Sequence, residues 1–552
     1  PGVAAGGVLL LAPTGKARVQ LETKVGLPAQ TLASYLTPSK RYDGETGRYF
    51  VLDESALRRS YSLVVIDEAS MLTEEMLAAA LDAFTGVGRL VLVGDPRQLP
   101  PIGAGRPFVD LVNKLRPESF SNWIRVAPGY VELQVPRRQL PDGAQGERLD
   151  LQLAAWFGDN TRGAADDSIW SLLEDAPDHP TVRYESWGDR TPIKALTDVL
   201  QDVLGITASE EGIRRFAESY GAELNGQWIN WEPGAGTRAE EWQILSPTRS
   251  RAFGTVELNR HIKRKYRADD TSWAQKTTRK ANLPGPIGPE LIARGDKVMQ
   301  TVNRRLQAWP KDGALNYVAN GEIGVAIGRP VPVTKARKRG LRLNVEFSSQ
   351  PGFRYSYWPT DSDQNVMLEL AWAVTVHKAQ GSEFGITFLV LPARANVSRE
   401  LMYTALTRQK DKVIILHEGS LQELRDLAAP WRSETARRLT DLFVAPQPFA
   451  LEIRGTARRF DRKLLHVSAN GTPMASKNEV IIAGLLDQLV PGRWQYEQPL
   501  RGGDGREVLP DFTIAAPDGR TIYWEHAGML DLPDYARKWE LKKVWYAENG
   551  IL

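Results

Sequence analysis

Two apolar runs in this chain end in residues that could do phosphate chemistry. Leu63-Val64-Val65-Ile66 runs into Asp67-Glu68-Ala69-Ser70, and Arg89-Leu90-Val91-Leu92-Val93 runs into Gly94-Asp95-Pro96-Arg97-Gln98-Leu99-Pro100-Pro101. A buried parallel strand delivers polar side chains to the carboxyl edge of an α/β sheet in this way. A carboxylate at that edge can hold Mg2+, and a second can polarise a water beside a phosphate. Two such runs in tandem predict neighbouring buried strands of one nucleotide-binding sheet.

The elements that must position these residues are legible in outline. Val8–Ala12, Leu63–Ile66 and Leu90–Val93 read as strands, and Glu74–Phe84 as a helix capped by Thr73. Their alternation predicts a parallel sheet covered by helices. Residues 140–240 are polar and Trp-bearing and give no clear pattern. Trp242–Leu245 resumes a strand ending at Ser246-Pro247-Thr248-Arg249. From Gly295 to about Trp358, short strands, turns and basic residues suggest a small β barrel. Leu368–Thr375 and Val413–Leu416 read as buried strands, residues 420–470 as a connector, and a new unit opens after Ser476.

With 552 residues, the chain is too long for a single core, and three or four domains are expected. Its 42% hydrophobic and 25% charged residues are those of a globular protein. A net charge of +3 implies no polyanion partner by itself. Two local clusters leave phosphate contacts open: Lys335, Arg337, Lys338, Arg339 and Arg342, and Arg260, Lys263, Arg264, Lys265 and Arg267. The lack of cysteine excludes disulfides and thiolate metal sites and fits a cytoplasmic protein. No apolar run reaches the roughly 20 residues of a membrane helix. The chain opens on Pro1 rather than Met, so a missing amino-terminal segment is expected.

The motifs together resemble the superfamily 1 helicases, in the RecD-like, 5′-to-3′ branch. Ala12-Pro13-Thr14-Gly15-Lys16-Ala17 looks like motif Ia, and Asp67-Glu68-Ala69-Ser70 like motif II, the Walker B box. Gly94 to Pro101 looks like motif III, and Arg138-Gln139 resembles the arginine of motif IV. Thr375-Val376-His377-Lys378-Ala379-Gln380-Gly381-Ser382-Glu383-Phe384 looks like motif V, and Tyr403-Thr404-Ala405-Leu406-Thr407-Arg408 like motif VI. Gly295 to Gln300 and Asn320 to Gly324 are similar to the segments that bracket an SH3-like insertion in that branch. The resemblance covers roughly residues 1–420.

It implies an α/β protein with two RecA-like P-loop NTPase lobes. Residues 1–135 would form the first lobe, 136–294 and 366–425 the second, and 295–365 the SH3-like barrel inserted into it. ATP and Mg2+ are the implied cofactors and DNA the implied partner. Asp67 would bind Mg2+ and Glu68 would activate the attacking water, while Gln98 would sense the γ-phosphate. Arg138 and Arg408 would reach the triphosphate from across the cleft, where a planar guanidinium fork suits the transferred phosphoryl group. Gly94, Asp95, Gly381 and Glu383 complete the implied ATP site. Pro13, Thr14, Lys16, Thr375, His377 and Lys378 would contact the single strand.

The chain departs from that family at one place. No Gly-x-x-x-x-Gly-Lys-[Ser/Thr] phosphate loop occurs, and in the family that loop lies just upstream of motif Ia. The expectation is a loop lost upstream of Pro1 and a polypeptide that hydrolyses ATP poorly as it stands; genuine loss of ATPase activity is the alternative.

After a connector at 426–475, residues 476–552 resemble the PD-(D/E)xK nuclease fold, a second α/β unit of restriction-endonuclease type. Glu479 opens a helix over Val480–Leu489, and Asp511 and Glu525 follow on strands. In that fold such acids gather Mg2+ ions that activate water, so Asp511 and Glu525 are implied metal ligands. The usual E-x-K reads Glu525-His526-Ala527, without its lysine; Lys538, Lys542, Lys543 or His526 would have to replace it. Trp524, Trp539, Trp545 and Tyr546 are expected in the core. The combined expectation is an ATP-dependent DNA helicase with a nuclease-like module, in repair, recombination or defence. The alternatives are a DNA-binding scaffold with an inactive motor fold, and a nuclease that uses ATP only for loading.

Overall fold

The computed structural model describes residues 7–52, 57–117, 125–133, 148–158, 168–206, 209–226, 228–277, 285–312, 316–328, 342–358, 367–393, 397–429, 432–438, 440, 442–443, 466–470, 472–474, 476–527, 530 and 533–551. The chain divides into two compact units, Pro1–Val444 and Ala445–Leu552.

The first unit opens with strand β1 (Val8–Ala12), helix α1 (Gly15–Val25) and β2 (Ala29–Thr31). β3 (Leu63–Ile66), α2 (Glu74–Asp82) and β4 (Arg89–Leu92) follow. The strands form a parallel sheet in the order β2-β1-β3-β4. Val64 and Ile66 are fully buried, as expected for a strand covered on both faces. β4 corrects the expectation of a second buried strand: it lies at the sheet edge and is only half-buried. α2 is capped as the sequence predicts, Thr73 accepting the Met76 amide at 3.2 Å.

The expected blank at 140–240 is structured. It contains strand β5 (Val182–Ser186) and flanking helices, and it leads to β6 (Trp242–Ser246) and helix α3 (Thr255–Tyr266). Buried aromatic residues of this stretch contribute to the core. Phe216 stacks on Tyr266 at 4.2 Å, and Trp231, Trp242 and Trp372 are fully buried around Tyr220. A polar average therefore hid an aromatic core.

An antiparallel sheet comes next: β7 (Lys297–Gln300), β8 (Ala308–Trp309), β9 (Ile323–Ile327), β10 (Leu343–Phe347), β11 (Arg354–Tyr357) and β12 (Leu368–Leu370). Its order is β8-β11-β10-β9-β7-β12, and among the described residues no pairing joins the two outer strands. It is a six-stranded antiparallel sheet over the stretch where a small barrel was expected.

The chain then adds β13 (Ala373–Thr375), β14 (Phe384–Leu391), helix α4 (Arg399–Ala405) and β15 (Gln409–His417). With β5 and β6 these strands form a parallel sheet in the order β13-β6-β14-β15-β5. The apolar run Leu368–Thr375 is thus two strands in two sheets. The break falls at Ala371-Trp372, whose carbonyls accept from the Gln243 amide at 2.9 and 2.8 Å. Asn259 bridges the same break, donating to Leu370 and Ala373 oxygens at 3.0 and 2.8 Å. Side-chain amides replace the ladder bonds there, and apolarity alone does not reveal it.

In the second unit, helix α5 (Lys477–Leu489) carries a capping box of Ser476 and Glu479. It accompanies an antiparallel sheet, in the order β16-β17-β18, of β16 (Trp494–Tyr496), β17 (Phe512–Ala515) and β18 (Thr521–Trp524). Helix α6 (Pro533–Glu548) closes the unit. Trp494, Phe512, Trp545 and Tyr546 are buried, whereas Trp524 is 41% exposed, against the expectation that it lies in the core.

Candidate nucleotide and nucleic-acid sites

The acids at the end of β3 are set by an unusual turn. Glu68 has φ 51°, in the left-handed region that a side chain bearing a β-carbon rarely adopts. Its amide donates to Asp67 Oδ1 at 2.9 Å, and the Ala69 amide donates to the Val93 carbonyl at 2.7 Å. The turn thereby locks the ends of β3 and β4 together. Gly94 fits there because a Cβ would stand 2.9 Å from the Ser70 nitrogen.

Three further motifs close on this edge. Tyr403 of α4 donates to Asp95 Oδ2 at 2.7 Å, and the Leu99 amide donates to Thr404 Oγ1 at 2.9 Å. Gln380 of the loop before β14 donates to the Leu99 carbonyl at 3.3 Å. Gly381 adopts φ 71°, and a Cβ there would sit 3.9 Å from Glu68 Oε1. Arg97 stacks on the Tyr403 ring, 4.8 Å from its centroid. Burial, then the Asp95 charge, raises the Tyr403 hydroxyl well above its ordinary pKa and keeps it a donor.

Arg408 is buried and donates to the Thr404 carbonyl at 3.0 Å and the Ser382 carbonyl at 3.4 Å. Ser382 adjoins Gly381, the residue whose Cβ would approach Glu68. Arg138 lies outside the described residues. Gln98 Oε1 and Ser70 Oγ are buried without a hydrogen-bond partner. Carboxylates at a strand end, unsatisfied polar atoms beside them and a guanidinium at the opposing loop fit a nucleotide and its divalent cation. Among the described residues no group of three or more acids or histidines could hold a metal alone.

The residues assigned to the single strand divide into two sets. Thr14 caps α1, accepting the Ala17 amide at 3.3 Å. Lys16 is 5% exposed and paired with Glu240 at 2.7 Å. Its ammonium is committed to an acid before β6, so in this structure it is not presented to a strand. Gly15 fits a close approach, because a Cβ would lie 2.5 Å from Ala319 Cβ. Pro13, on the same turn, is half-buried. Thr375 and Lys378 line a cleft in the second parallel sheet, and the Thr375 hydroxyl accepts the Lys378 amide at 3.3 Å. His377 is half-buried, and burial lowers its pKa. Glu383 faces Lys24 at 3.4 Å and Lys410 at 3.7 Å.

The basic run on α3 is largely committed inside the protein. Lys263 pairs with buried Asp296, Arg267 is buried against Asp296 and Asp270, and Arg260 holds Glu290 at 2.8 Å. Of the other run, Arg342 stacks on Trp358 at 3.7 Å, and the remaining members lie outside the described residues.

In the second unit the acids do gather. Asp511, just before β17, accepts the His526 amide at 2.6 Å. Glu525, just after β18, pairs with Lys542 of α6 at 2.5 Å and accepts from the Tyr546 hydroxyl. Lys542 also donates to the Leu509 carbonyl at 2.7 Å. Burial, with the Glu525 and Glu479 charges, raises Asp511 from 3.8 to about 6, against the His526 amide and Lys542. Glu479 is engaged by its capping box and by the Tyr496 hydroxyl at 2.6 Å. Both acids thus flank their strands rather than sitting within them.

Residues 3–151 match the family model of an AAA domain, and residues 370–416 that of a UvrD-like helicase C-terminal domain. An ATP-dependent RecD2 DNA helicase of Deinococcus radiodurans is 28% identical over 78% of this chain and 44% of its own length. Over that span the chain is similar to a RecD2 helicase. A RecBCD enzyme subunit RecD of Mycolicibacterium smegmatis is 26% identical over 76% of the chain and 63% of its own length. An uncharacterized protein of Methanocaldococcus jannaschii is 26% identical over 99% of the chain and 44% of its own length. The chain thus spans about half the length of the curated relatives it matches.

The two segments matched by the family models are the ones that meet in space. The first carries the ends of β3 and β4, and the second carries β13 and the loop and helix that touch them. Sequence reasoning named these motifs but gave no role to Tyr403, Thr404, Gln380 or Glu240, which join them. Their only signal was their place within or beside a motif. Among the described residues no helix is long and apolar enough to cross a membrane.

Proposed function

We propose that the RecD-like core is an ATP-driven motor that moves along single-stranded DNA and unwinds duplex. The observation that carries this reading is the Asp95–Tyr403 and Leu99–Thr404 pair of hydrogen bonds, which ties the acidic edge of one sheet to the helix bearing Arg408. Phosphate-dependent movement at that edge would pass directly to the loop bearing Thr375, His377 and Lys378. ATP supplies the free energy, and a bound Mg2+ would neutralise charge on its phosphates. Asp67 would hold the ion, Glu68 orient and deprotonate water, Gln98 report the terminal phosphate, and Arg138 and Arg408 stabilise charge on it. The relative named an ATP-dependent RecD2 DNA helicase favours DNA over RNA, and the work of such a motor would lie in repair, recombination or defence.

The test is ATP hydrolysis by a form extended upstream to carry a phosphate loop, with and without single-stranded DNA. Stimulation by DNA supports the motor. Binding of DNA without stimulation supports a scaffold with an inactive motor fold.

A second reading, for the C-terminal unit alone, is a metal-dependent nuclease. Lys542 of α6, in contact with Glu525, favours it, because it could stand in for the lysine absent after Glu525. Asp511 and Glu525 would hold Mg2+, and Lys542 would orient water or offset charge at the scissile phosphate. Cleavage of a DNA substrate that is lost in Asp511→Ala and Lys542→Ala but kept in Glu68→Gln supports it. Nicking without processive unwinding in the unaltered protein would point to ATP used only for loading.

A further inference from the structure

A cleft at the carboxyl edge of the second parallel sheet holds a carboxylate between two cations. It is lined by Arg249, Thr255, Asn259, Glu290, Thr375 and Lys378 with Glu369 among them. Arg249 follows β6, and Lys378 follows β13. Glu369 comes from β12, in the antiparallel sheet. One Glu369 oxygen accepts from Arg249 Nη1 at 2.8 Å, and the other accepts from Lys378 Nζ. The Arg249 and Lys378 side chains are 58% and 34% exposed, so solvent reaches both.

The other acid in the cleft, Glu290, is engaged by Arg260 at 2.8 Å. Asn259 is held by the backbone at Leu370 and Ala373, which fixes the floor. One oxygen per cation is also how a phosphodiester would present its two non-bridging oxygens to an Arg and a Lys.

We propose that Glu369 is a phosphate mimic: it holds the anion position between Arg249 and Lys378, and a backbone phosphate of a single strand displaces it on binding. This rests on the reading of the core as a module that grips single-stranded DNA. The exchange makes no covalent bond. Two ion pairs open, the carboxylate swings into water, and the two cations take the phosphate. Its consequence is weakened grip: every strand must compete with a tethered anion, which favours release between steps over tight holding.

The experiment is binding of a fluorescent oligothymidylate to the full chain at several salt concentrations. Glu369→Gln should bind about ten-fold tighter at low salt, with a log–log salt slope steeper by about 1.4, because each of the two newly available cations adds roughly 0.7 on a single strand. Arg249→Ala should cost little in the unaltered protein and remove most of the gain in the Glu369→Gln background, a coupling that a merely structural role would not produce. If Glu369→Gln does not fold, Glu369→Asp, whose shorter arm cannot span both cations, should show the same tightening in smaller measure. Unchanged or weaker binding by a folded variant overturns the inference alone. Failure of both the unaltered protein and the variant to bind any strand overturns the reading it rests on. Competition by inorganic phosphate at matched phosphate concentration would overturn the assignment to a strand.

Discussion

The two acidic sites of this molecule solve the same electrostatic problem differently. Asp67 and Glu68 stand half-exposed at a sheet edge, and their neighbours come from motifs more than 300 residues away, through Asp95–Tyr403 and Leu99–Thr404. Asp511 and Glu525 sit in one small unit, with Lys542 in direct contact. A site shared between two sheets can be assembled and dismantled by their relative movement. A self-contained site cannot, so local burial sets its properties, as the elevated Asp511 shows.

The largest expected effect tests the first site. Glu68→Gln, in a form carrying a phosphate loop, should lower strand-stimulated ATP hydrolysis by about 100-fold or more with an unchanged melting temperature. An unchanged rate would make Glu68 an ordinary surface acid and remove the contrast.

The second prediction concerns pH. The folded state raises Asp511 from 3.8 to about 6, so it binds a proton there that the unfolded chain has already released. Stability of the C-terminal unit should therefore be full below the unfolded value, fall as pH rises through the window between the two, and be level above it. The loss should be at most about 3 kcal/mol. Amide exchange of Phe512–Ala515 reads this, and Asp511→Asn should flatten the curve. A protection factor, with the base-catalysed intrinsic rate divided out, that stays constant in the unaltered protein from pH 3.8 to about 6 would show that Asp511 is not desolvated.

A third test asks how tightly α1 is seated. Gly15→Ala places a Cβ 2.5 Å from Ala319 Cβ and 2.6 Å from Asn303 Oδ1. It should destabilise the first unit by about 1–3 kcal/mol, seen as a lower melting temperature. No change would mean that the contact relaxes freely.

The smallest effect is expected from Tyr403→Phe, which removes one hydrogen bond to Asp95. A stability loss of about 1 kcal/mol should come with a larger proportional loss of strand stimulation. The reverse ranking would mark Tyr403 as packing rather than linkage.

Much of the core could be read before any coordinates. β1, β3 and β6 were recognisable because a strand covered on both faces needs an unbroken apolar run. The cap at Thr73 was readable because capping is local chemistry. Residues 140–240 were hard to read because Trp231 and Tyr220 are buried from outside regular elements, although Phe216 sits on a helix with a regular buried face. Leu368–Thr375 was misread as one strand because the break is made by Gln243 and Asn259, more than a hundred residues earlier. The α3 basic run looked available for phosphate because the sequence does not show Asp296 beneath it.

What the sequence determined by itself was chemistry type and order: which acids, amides and guanidinium groups stand at strand ends, and in what succession. Those follow from residue identity and short-range periodicity, which act within one element. The tertiary structure alone decided which charges are spoken for. Lys16 is held by Glu240, Arg249 and Lys378 by Glu369, and Glu525 by Lys542, and each pairing joins elements whose approach is set by packing of whole sheets and helices. Electrostatic interaction depends on distance in space and on burial, and neither is a property of position along the chain.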